Sequence, residues 1–60
     1  MFLTKEFKVG TVRFGYKLEQ NGAYTVKVFL IDLCTWFTIG RAKSVEGVHK
    51  LAKNFVETVL

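Results

Sequence analysis

Sixty residues, half of them hydrophobic and 15% aromatic, carry a formal net charge of +4 and one cysteine. Such a chain is one domain, residues 1–60, too apolar for a disordered segment, and one cysteine excludes an intrachain disulfide framework. No signal-peptide run opens it and no stretch nears the roughly 20 apolar residues of a membrane span, so the expectation is a cytoplasmic protein without a membrane partner.

A domain of this size buries only about 60% of its unfolded surface. The apolar share then exceeds what one sheet and one helix hide, which predicts a homodimer or another covering partner. The positive charge either suits an anionic partner, nucleic acid or an acidic protein face, or serves solubility alone.

Taken in order, Phe2 to Val9 is a weak strand candidate: Leu3, Phe7 and Val9 share a parity, with Lys5 between them and Gly10 as a break or bulge. Thr11 to Glu19 alternates cleanly. Val12, Phe14, Tyr16 and Leu18 point one way; Arg13, Gly15 and Lys17 point the other. Asn21-Gly22 is a hairpin signal, because both residues tolerate positive φ. Tyr24 to Ile31 is the next strand, with Tyr24, Val26, Val28 and Leu30 in one row and Thr25, Lys27, Phe29 and Ile31 in the other. Asp32-Leu33-Cys34 connects to a short strand from Thr35 to Ile39, ended by Gly40. The last element is a helix: Val45, Val48, Leu51, Ala52, Phe55, Val56 and Val59 recur at spacings of three and four, and Ser44 stands where its hydroxyl caps the first turn. The predicted architecture is α+β, a three-stranded antiparallel meander, with or without an extra N-terminal strand, packed against one C-terminal helix.

The inventory of reactive groups is thin, and the expectation is a protein that is not an enzyme, with no cofactor and no metal. His49 sits mid-helix among Val45, Glu46, Ala52 and Lys53, with no second ligand at helical spacing. Cys34 has no neighbouring His or cysteine pattern and reads as a small apolar filler. Asp32 reads as a turn former. The glycines are dispersed and form no phosphate-cradling motif.

Two surfaces remain as candidate sites. The first is a basic sheet face opposite the helix, where Arg13, Lys17 and Lys27 project around a bare Gly15 that a phosphate backbone can approach, or else an ordinary solvated face. Arg41 and Lys43 precede the helix, where the dipole disfavours positive charge. They either stand far enough out to be harmless or face an anion and join that site. The second surface is the apolar group Phe29, Ile31 and Trp36: a dimer seam, a partner patch, or a second small core closed by Phe2 and Leu3.

From Asp32 to Gly40 the chain resembles the HicB-like antitoxin family, whose hairpin is followed by an aspartate–leucine–proline–glycine loop, Phe-Thr-x-Gly and an amphipathic helix. Asp32, Leu33, Phe37, Thr38 and Gly40 stand at matching offsets; Cys34 and Thr35 replace the proline and glycine. The resemblance spans about Thr11 to Leu60 and implies a partial ribonuclease-H-like sheet with one helix that occludes a small toxin ribonuclease and often dimerises. Asn21-Gly22 before an aromatic strand, with Phe37-Thr38-Ile39-Gly40-Arg41, is similar to the arm-binding N-terminal domain of lambda-type phage integrases and to the plant ethylene-response DNA-binding domain. That likeness implies a sheet face entering the major groove of DNA. Two functions follow as expectations. One is a regulatory or inhibitory module that occludes a protein partner, a toxin or a nucleic-acid enzyme, through Phe29, Ile31 and Trp36. The other is a double-stranded DNA-binding module using Arg13, Lys17, Lys27, Arg41 and Lys43.

Overall fold

A computed structural model describes residues 3–59. Four strands, β1 (Lys5–Val9), β2 (Val12–Leu18), β3 (Tyr24–Leu30) and β4 (Thr35–Ala42), with a 3-10 turn (Ile31–Leu33) between the last two, precede helix α1 (Val45–Val59). Each strand pairs antiparallel with its sequence neighbours, in the order β1-β2-β3-β4, and the helix lies across one face. The fold is the expected α+β meander with the additional N-terminal strand present.

Turn chemistry sets the registers. Gly10 and Thr11 join β1 to β2, so Val9 faces Val12 and Phe7 faces Phe14. Gly10 thus closes a hairpin and is not a bulge. Between β2 and β3 the positive φ, 88°, falls on Gly22, where the missing Cβ removes the steric cost. Asn21 contributes differently: its Oδ1 accepts from the N–H of Ala23 at 3.0 Å, a side-chain mimic of a backbone turn. Glu19 and Ala23 close the loop, with the Glu19 N–H donating to the Ala23 carbonyl at 2.8 Å. Arg13 consequently faces Phe29, one step beyond the Phe14–Val28 pair.

The last strand runs further than its sequence suggested. Gly40 does not end it; pairing continues to Ala42 across a register shift opposite Val26 and Lys27. One extra residue, Ile39, is accommodated there. Ile39 packs into the core, and Gly40 also faces the helix, since a Cβ on it would lie 2.9 Å from Leu51 Cδ2. The close approach of Leu51 is what favours glycine at this position.

The core forms between the sheet and one helical stripe. Phe14, Val28 and Ala52 make one buried cluster and Tyr16, Val26 and Val48 another, with Phe7 and Ile39 touching both. Rings interlock edge-on, Phe14 against Phe55 and Tyr16 against Tyr24, a favoured aromatic geometry. Each such side chain contributes about 1.5–3 kcal/mol by burial, against a total stability of about 3–9 kcal/mol for a chain this long. The helix begins as predicted: the N–H of Gly47 donates to Ser44 Oγ at 3.1 Å. Val45 and Val59, at its two ends, lie exposed on a stripe whose other members are buried or half-buried. Cys34 is not a filler. It is exposed, at φ 49°, after the 3-10 turn Ile31–Leu33.

Candidate nucleic-acid interface

Strand alternation sends every second side chain away from the helix, and the registers arrange these residues in rows across the sheet. One row runs Lys8, Arg13, Phe29, Trp36. The next runs Glu6, Gly15, Lys27, Thr38, and a third carries Lys17, Thr25 and Arg41. The aromatic and the basic candidates, two separate surfaces in the sequence, therefore share one face. Five cations there face two carboxylates, Glu6 and Glu19.

Arg13 ties the two sets together. Its guanidinium carbon lies 4.9 Å from the Phe29 ring centre and 5.5 Å from that of Trp36. The two rings are 5.2 Å apart, tilted by 60°. The guanidinium also pairs with the Glu6 carboxylate. That pair has a local reason: Lys8 stands directly across from Arg13, and like charges opposite each other destabilise a sheet unless a neighbour neutralises one of them. Lys27 Nζ donates to Thr38 Oγ1 at 2.8 Å, and Thr25 Oγ1 donates to Glu19 Oε1 at 2.9 Å between Lys17 and Arg41. Glu19 so holds the rim of a groove of about 520 Å³ that Lys17 and Arg41 both line.

The remaining candidates are displaced from this face. Gly15 is not bare. The Thr4 N–H bonds the Tyr16 carbonyl at 2.8 Å and Thr4 Oγ1 accepts from Leu18 N–H at 2.9 Å. This folds the N-terminal segment back over β2, and a Cβ on Gly15 would lie 2.6 Å from Leu3 Cδ1. Leu3 therefore leaves the face of Phe7 and Val9 and covers the outer face. Phe2, expected beside it, lies outside the described residues. Ile31 is 72% exposed in the 3-10 turn; it borders a groove with Phe29 and Arg13 but stands beside the aromatic pair, not in it. Lys43 also misses the sheet face. It lines a groove of about 710 Å³ between β4 and the helix, with Arg41, Lys50 and Lys53.

Lys8, Lys50 and Lys53 were not among the candidates. Lys8 was findable from the Gly10-Thr11 turn, which puts it opposite Arg13. The helical lysines read as a solvated face until β4 is extended to Ala42. His49 is exposed, and its ring packs against Phe7 at 4.3 Å between centroids. Among the described residues no three of His, Cys, Asp and Glu cluster in a way that could hold a metal, and no helix is long and apolar enough to cross a membrane.

No family model, no curated protein and no solved structure matches the chain.

Proposed function

We propose that the chain is a non-enzymatic nucleic-acid-binding module whose binding surface is the outer face of the sheet. The observation that carries this reading is Arg13 held over Phe29 and Trp36 on a face that also bears Lys8, Lys17, Lys27 and Arg41. Cations supply sequence-independent attraction to phosphates, and aromatic and guanidinium planes supply surfaces on which bases stack. Either feature alone would suit another anion equally well; their presence on one face supports the nucleic-acid reading.

The test is binding of labelled DNA and RNA oligonucleotides by the wild type and by an Arg13→Ala, Lys17→Ala, Lys27→Ala variant, at about 50 mM and about 200 mM salt. Each phosphate contact contributes about 0.7 to 0.9 to the slope of log affinity against log salt, so the variant should bind more weakly and lose about 1.4 to 1.8 units of slope through Lys17 and Lys27, Arg13 exchanging Glu6 for phosphate without net counterion release. An unchanged affinity and slope would end this reading.

A second reading rests on different residues. Ile31, Leu33 and Phe37 are exposed at one end of the sheet, within or beside the Asp32-to-Gly40 motif that resembles the HicB-like family. A protein partner or a second copy covering that end would hide apolar surface. A clean dimer in solution that binds no nucleic acid would favour this occluding role over the first.

A further inference from the structure

We infer that the nucleic acid is single-stranded, with bases stacked at Arg13, Phe29 and Trp36 and the backbone turning over the β4 edge into the groove of Lys43, Lys50 and Lys53. The inference rests on the reading of the outer face as a nucleic-acid surface and narrows it.

Three observations favour a single strand over a duplex. The first is the stacking site itself. Trp36 lies on β4, an edge strand of the sheet, and the Arg13 guanidinium lies over both rings. Bases inside a duplex are already stacked on one another and present only their edges, whereas the bases of a single strand can be splayed onto aromatic and guanidinium planes. The second is width. Four strands about 4.8 Å apart span about 14 Å between the outer strand axes, and the major groove, about 12 Å wide, admits a helix or a two-stranded ribbon. The third is the course of the positive charge. Arg41 lines two grooves at once: with Lys17 on the outer face, and with Lys43, Lys50 and Lys53 on the helix side of β4. The basic track bends around a sheet edge in a body measuring 31 × 23 × 15 Å. A flexible single strand follows such a bend; a duplex, with a persistence length of about 150 base pairs, does not.

The chain has one tryptophan, so Trp36 fluorescence reports stacking in the unmodified protein. The probes are a thymidine oligomer and a uridine oligomer of about 12 nucleotides, within the roughly 4–16 nucleotide site sizes of sheet-based strand binders, and a DNA duplex of the same length. The expected result is quenching of Trp36 by a single-stranded oligomer and weaker binding of the duplex. Phe29→Ala should weaken single-strand binding by about 5- to 150-fold, the range of one lost base stack. Lys50→Ala with Lys53→Ala, at exposed positions, should lower the single-strand salt slope by about 1.4 units. Duplex binding that equals or exceeds single-strand binding, without quenching, would overturn the inference and leave the outer face as a nucleic-acid surface. Single-strand binding untouched by the lysine pair would overturn the path around β4. No salt-sensitive binding of any probe would remove the underlying reading as well.

Discussion

Glu6→Gln should tighten nucleic-acid binding, because Glu6 competes with phosphate for Arg13. The two side chains are 44% and 49% exposed and form an ion pair on the proposed binding face. An exposed pair of this kind is worth about 0.2–1 kcal/mol. To contact a phosphate, Arg13 must give it up, so removing the carboxylate should raise affinity by about 1.4- to 5-fold. The salt dependence should change too. In the wild type, an Arg13 that leaves Glu6 for a phosphate strands a carboxylate, which recruits a cation and cancels the counterion released. In the variant that release is kept, and the slope should steepen by about 0.7 for a single strand. The advantage should therefore shrink by about 2.6-fold between about 50 and 200 mM salt. Anisotropy of a labelled oligonucleotide measures both quantities. The fold should tolerate the change: loss of at most about 1 kcal/mol lowers the melting midpoint by no more than about 8 °C. Equal or weaker binding by Glu6→Gln at low salt would refute the argument, and would mean that Glu6 positions Arg13 and does not compete for it.

Two further predictions concern the scaffold. Ser44→Ala should cost about 1 kcal/mol by leaving the Gly47 N–H without its cap, and Ser44→Gly only a few tenths; thermal unfolding followed by circular dichroism separates them, and equal losses would exclude the cap as the cause. Gly40→Val should cost about 1–3 kcal/mol because its methyls must displace Leu51, and it should cost less in a Leu51→Ala background. Urea unfolding of the single and double variants tests this, and strict additivity would refute the contact.

The N-terminal segment and β4 show where sequence reasoning fell short. Lys5 obscured the strand because it shares the parity of Phe7 and Val9. In the fold it pairs with Tyr16 on an edge strand, where a long charged side chain reaches solvent and guards the edge. Gly40 read as a terminator because nothing in the local pattern announces that Leu51, eleven residues later, occupies the space of its side chain. Leu3 over Gly15 is of the same kind: parity along a strand says nothing about a residue just outside it.

The sequence by itself determined the elements and most of the core. Period-two alternation over Val12–Leu18 and Tyr24–Leu30 and period-3.6 spacing over Val45–Val59 are local properties, set by which face of a strand or helix must leave water, and Phe14, Tyr16, Val26, Val28, Val48 and Ala52 follow from them. Tertiary structure decided the site. A hairpin shorter by one residue would have put Phe29 opposite Phe14 and split the arginine from the aromatic pair, because a one-residue slip exchanges the two faces of a strand. The irregularity at Ile39 has the complementary effect: plain alternation sends Arg41 to the helix side with Phe37, and the extra residue returns it to the outer face beside Thr25. Which residues point outward was legible along each strand; which of them meet depended on the lengths of the turns and, for Arg41, on an irregularity in β4 that only the packed sheet reveals.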